Sequence, residues 1–109
     1  MAEISKETEN KIKQLQLLEQ NLQNFLMQKQ QFQLQLIEVE SALKEIETTK
    51  KAYKIIGNIM VDTGKEELKD ELSKKKEMLE IRLKTLEKQE NQFREKASRL
   101  QEEVLKEMK

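Results

Sequence analysis

Cysteine, histidine and proline are missing from this chain altogether, and glycine occurs only at Gly57 and Gly64. Without cysteine no disulfide can staple a small fold and no thiol nucleophile is available. Without histidine the usual general base is gone, and with both residue types absent so is a common zinc ligand set. The two glycines are too isolated to form a phosphate-cradling loop. Aromatic residues make up 4% of the 109 residues, too little bulk for a compact globular core. Charge of one sign is also lacking: 21 basic and 21 acidic residues cancel, so no footprint for nucleic acid or an anionic membrane is visible. The start, MAEISKETENK, holds no apolar run that could act as a signal peptide or membrane span, which makes the cytoplasm the expected location. No enzymatic activity and no cofactor are expected.

What is present is charge and periodicity. Charged residues account for 39% of the chain, and Glu, Lys, Gln and Leu are in excess, the composition of long helices and coiled coils. The first segment places Leu15, Leu18, Leu22, Phe25, Lys29, Phe32, Leu36, Val39, Leu43, Ile46, Lys50 and Tyr53 at alternating steps of three and four. The second carries Leu72, Leu79, Leu86, Phe93 and Leu100 every seventh residue, with a companion column of Lys76, Leu83, Glu90, Ala97 and Val104. Disordered chains have no need of such periodicity. Carboxylates that alternate with cations at helical spacing, as in Glu66, Asp70 and Lys74, read as a solvated face rather than a catalytic set.

Between the two segments lies YKIIGNIMVDTG, Tyr53 to Gly64. Ile55-Ile56 and Ile59-Met60-Val61 flank Gly57-Asn58, a two-residue loop suited to a tight β-hairpin. A helical hairpin bent there pairs positions whose numbers sum to 115, and both seams obey that sum: Leu43 meets Leu72, Leu36 meets Leu79, Leu22 meets Phe93 and Leu15 meets Leu100. Val39 with Lys76, Lys29 with Leu86 and Phe25 with Glu90 form mixed layers that weaken packing locally or fix register. The expected organisation is therefore a single domain, with a helix over about 5–51, a β-hairpin over about 52–63 and a helix over about 64–108. Thr63-x-x-Glu66 is expected to cap the second helix.

Two places are left with apolar side chains that the coil does not use. In the hairpin, Ile56 opposes Ile59 and Ile55 opposes Met60 on opposite faces, so both faces are apolar and both edges unpaired. Either hairpins from several subunits join edge to edge into a closed sheet, or the ribbon folds back on its own coil. On the first reading Ile55, Ile56, Ile59, Met60 and Val61 assemble the oligomer, with Tyr53 and Gly57 shaping the hairpin. At the other end the seam runs out, since the sum pairs Lys11 with Val104 and Thr8 with Glu107. Ile4, Ile12, Leu15, Val104, Leu105 and Met108 in that fraying stretch either grip apolar segments of another protein or are scattered surface residues. Leu17 lies in the same stretch without an assigned partner, and Leu26, Met27, Leu34 and Ile37, off the seam of the first helix, pose the same question.

A long heptad helix followed by AYKIIGNIMVDTGKEEL at 52–68 and LEIRLKTLEKQE at 79–90 resembles the beta class of the prefoldin family in its archaeal form. Tyr53, Lys54, Gly57 and Val61 are the most specific part, because a generic coiled coil has no reason to carry them. The resemblance implies an ATP-independent co-chaperone in which two alpha and four beta subunits join their hairpins into a β-barrel body. Coiled coils hang from that body, hold unfolded proteins at their tips and pass them to a group II chaperonin. A single hairpin fits the beta class, since alpha-class subunits carry two. One departure is that the helical register runs directly into Tyr53, which suggests a tight shoulder between coil and hairpin. The competing reading, from another class, is a structural coiled-coil adaptor whose hairpin only dimerises two coils end to end.

Overall fold

The computed structural model describes residues 4–109 and contains four elements in the order helix, strand, strand, helix. They are α1 (Lys6–Ile46), β1 (Ala52–Ile56), β2 (Ile59–Thr63) and α2 (Lys65–Glu107). The strands form a two-stranded antiparallel sheet with Ala52 opposite Thr63, Ile55 opposite Met60 and Ile56 opposite Ile59. Every pair in this ladder sums to 115, as the heptads require. Gly57 has φ +60° while no non-glycine residue among those described has positive φ, which is the type II′ pattern with glycine at the first central position. A side chain at Gly57 would meet open space, so the requirement there is conformational rather than steric.

α1 stops at Ile46, five residues short of the expected helix end at 51. The cause is local competition for one carbonyl: the Thr48 amide and the Thr48 and Thr49 hydroxyls all donate to the Glu45 oxygen, at 3.2, 3.1 and 2.7 Å. β-branched residues that bond their own backbone favour such helix ends. Lys65 Nζ adds a hydrogen bond to the Glu47 carbonyl at 3.2 Å. Residues 47–51 therefore form a connector, so the tight shoulder does not occur, and Lys50 and Tyr53 lie outside the helical seam, both exposed. The start of α2 also differs. Thr63 ends β2 rather than capping α2; Gly64 stands in the N-cap place, its carbonyl accepting from the Leu68 amide at 2.9 Å.

The described chain divides into two compact units, Gln31–Leu83 and Met1–Gln30 with Lys84–Lys109. In the first, Val39, Ile46, Ala52 and Leu79 are buried, and Arg82 lies 5.8 Å over the Phe32 ring. In the second, Leu18, Leu86 and Val104 are buried, and Phe25 meets Phe93 edge-to-face with centroids 5.1 Å apart. The seam residues from Leu15 to Ile46 and from Leu72 to Val104 are all buried or half-buried. Three of them are charged, and of Lys29, Lys76 and Glu90 it is Glu90 that is buried. It is 5% exposed, and one carboxylate oxygen accepts from Lys29 at 3.3 Å and faces Arg94 at 3.5 Å, while Oε2 has no hydrogen-bond partner. The charges of the two mixed layers expected here, Lys29 opposite Leu86 and Phe25 opposite Glu90, thus meet across layers as a largely buried ion pair between α1 and α2.

Candidate functional site

The hairpin displays what a folded core would hide. Ile55, Ile56, Ile59 and Met60 are each 59–69% exposed, and Tyr53 and Val61 are exposed beside them. Alternation puts Tyr53, Ile55 and Met60 on one face and Ile56, Ile59 and Val61 on the other. At about 25 cal/mol per Å² of apolar surface, leaving such a set in water forgoes several kcal/mol, which burial against other chains would recover.

Charges fix the root of this ribbon. Lys54, on β1, donates to Glu71 of α2 at 2.9 Å, and Lys69 of α2 pairs with Glu47 of the connector at 2.6 Å. The hydrogen bond from Lys69 holds the Glu47 carboxyl below its ordinary 4.5, and the same bond raises Lys69 above 10.5. An apolar groove of about 250 Å³ runs along the root, lined chiefly by Ala42, Ile46, Ala52, Tyr53, Leu68 and Leu72. The strands are thereby held while their tip residues stay free.

The end where α1 begins and α2 finishes is built differently. Ser5 caps α1 by accepting the Thr8 amide at 3.1 Å, and the two hydroxyls are 2.9 Å apart. Thr8 is 3% exposed, and its hydroxyl donates to Glu107 Oε2 at 2.6 Å. Lys11 donates to Glu107 and lies 3.4 Å from Glu103. Its hydrogen bond to Glu107 raises Lys11 above 10.5, and together with the Thr8 bond holds the Glu107 carboxyl below 4.5. The pairing of Thr8 with Glu107 is the one the register sum names, but it is a hydrogen bond, so polar contacts tie the end where the sum gives no apolar layer.

That network sorts the residues expected to grip a partner. Ile4, Leu105 and Met108 are exposed, Ile12 and Leu15 are half-buried, and Val104 is buried. Leu17, from the same stretch, is 59% exposed beside Gln14 and Lys96 and belongs with the exposed set. No helix among the described residues is long and apolar enough to cross a membrane.

Comparison with known proteins gives the same assignment from independent directions. Residues 9–109 match the prefoldin subunit family. The chain is 37% identical to prefoldin subunit beta of Pyrobaculum islandicum, over 99% of this chain and 89% of that one. It is 38% identical to prefoldin subunit beta of Archaeoglobus fulgidus, over 95% and 92%. The crystal structure of the prefoldin beta subunit from Thermococcus strain KS-1 superposes with a TM-score of 0.86 at 37% identity, covering 95% of this chain and 94% of that one. Hairpin, seams and relatives together place the chain in the prefoldin family, within its beta class.

Proposed function

We propose that the chain works in the cytoplasm as the beta component of an ATP-independent holdase. Two alpha-class and four beta-class subunits join their hairpins into a β-barrel, and the helical arms hold unfolded proteins for transfer to a group II chaperonin. The observation that carries this reading is a hairpin whose two faces and two edges are apolar or unpaired, with Ile55, Ile56, Ile59 and Met60 all exposed. Closing such ribbons into one sheet removes every edge at once. Gripping needs no nucleotide and no reactive group: apolar contacts at several tips, each weak, bind by avidity.

The grip is tested with Ile4→Ser, Leu105→Ser and Met108→Ser combined, assembled with an alpha-class prefoldin subunit. Suppression of the aggregation of reduced lysozyme is expected to fall several-fold while the mass of the oligomer is unchanged. Undiminished suppression by an intact oligomer would overturn the assignment of the tips.

A further inference from the structure

The terminal end of the helix pair contains two classes of apolar residue, and a polar network separates them. Ile4, Leu105 and Met108 face water, whereas Val104 is buried and Ile12 and Leu15 are half-buried. The two carboxylates that flank Val104 along α2, Glu103 and Glu107, are both held by Lys11 of α1. The Thr8 hydroxyl, itself buried, takes the remaining Glu107 oxygen and so ties the first turn of α1 to the last turn of α2. Thr8 in turn is held by Ser5 through both its amide and its hydroxyl. Val104 is thus buried at the level of Lys11, its partner in the register, where polar pairs rather than a further apolar seam pair join α1 to α2.

Such a junction is weak by construction. The Lys11, Glu107 and Glu103 side chains are 21%, 32% and 53% exposed, where water and salt compete with each ion pair. Helix termini are also where local opening costs least. An apolar segment arriving at this end would replace contacts that are individually small and gain a hydrophobic surface in return.

We propose that Ser5, Thr8, Lys11, Glu103 and Glu107 form a releasable clasp, which keeps a second tier of gripping surface, Val104 with Ile12 and Leu15, covered until the end opens. This rests on the holdase reading and adds a regulation to it. The exposed tier makes first contact, and the covered tier is added when the clasp gives way. Storage of the second tier under polar groups lowers the apolar surface that the empty protein shows to its own copies.

The test is release and rescue. Lys11→Glu sets a third carboxylate against Glu103 and Glu107 and opens the clasp; Lys11→Glu with Glu107→Lys restores an opposite pair. Thr8→Val is a second way of opening it, with almost no change of shape. Circular dichroism reports that the helices persist. Amide hydrogen exchange around Val104 is expected to quicken several-fold in Lys11→Glu and in Thr8→Val, and to return toward the wild-type rate in the charge-swapped protein. Suppression of the aggregation of reduced lysozyme at limiting protein should rise and fall in step. Exchange that ignores all three variants would overturn the clasp, and faster exchange without any gain in suppression would reduce it to a structural tie. Failure of the holdase reading has a different signature: the wild-type chain gives no suppression at all, while exchange still responds to release and rescue.

Discussion

The hairpin unit and the terminal unit handle the same problem, surplus apolar surface, in opposite ways. Around the hairpin the charges lie at the root, where Lys54 meets Glu71 and Lys69 meets Glu47, and the apolar tip is left bare. At the termini the charges lie at the level of a buried apolar residue, since Lys11, the register partner of Val104, holds Glu103 and Glu107. A permanently bare surface suits a contact that forms once and stays. A covered one suits contacts that must form and release repeatedly. Exposure by itself therefore says little about use, and the chemistry that surrounds the exposed group says more.

The sharpest way to break this contrast is to place equal charges at equally exposed sites. Met60 and Met27 are 65% and 67% exposed. Met60→Lys with Ile56→Lys is expected to reduce the assembled mass to that of free protomers by native mass spectrometry, whereas Met27→Lys with Ile37→Lys, at sites of matching exposure, leaves it unaltered. Loss of assembly in both would show that bare apolar surface anywhere is enough.

Next in size come the seams. Leu79, 3% exposed, belongs to the hairpin unit, and Leu18, 7% exposed, to the terminal one. Leu79→Ala and Leu18→Ala should each cost about 2–4 kcal/mol in thermal or denaturant unfolding, the usual range for a truncated core leucine. Both are seam changes, so neither should alter which surface assembles. The ion pair in the terminal unit should behave otherwise. Lys29→Leu with Glu90→Leu is expected to be neutral or to stabilise by roughly 1–3 kcal/mol, because burial of a carboxylate with one unbonded oxygen is costly. Glu90→Leu alone should fall below the double variant.

The smallest effect is that of pH. The folded-state pKa of Glu107 is depressed, so its contribution is present above its ordinary 4.5 and is lost as pH falls through the lower folded value. Lys11 is raised, so its contribution is complete below 10.5 and is lost as pH rises beyond it. Glu47 and Lys69 follow the same two signs at the hairpin root. Between those limits, protection against exchange, taken relative to the intrinsic rate at each pH, should be constant at both places; below 4.5 it should fall at both. Glu107→Gln should remove the acid response around Val104 and leave that around Glu47 intact.

Much of this was readable from the residues, because heptads and strand alternation are periodic and periodic signals reinforce one another along the chain. The seams, the Gly57-Asn58 turn and the sum of 115 in the strand ladder all follow from spacing. The helix end at Ile46 does not. There a run of two threonines outweighs a heptad that continues on paper to Tyr53, since three donors on one carbonyl beat the weak burial that a lysine at position 50 could add to a seam. Gly64 displaced Thr63 from the N-cap because strand pairing claimed the threonine first. The clasp was hidden for a related reason: the register sum names Thr8 and Glu107 as partners, but a search for apolar layers passes over a pair that bonds through polar atoms. Val104 was expected at the gripping surface on hydrophobicity alone, and only its burial places it beneath the cover.

The most direct test of assembly through the hairpin is the native mass of this chain alone and after co-expression with an alpha-class prefoldin subunit. A discrete hexamer containing four copies of this chain is expected once the alpha-class partner is present. A mass that is the same with and without that partner would contradict it and leave the hairpin as a link between copies of one coil.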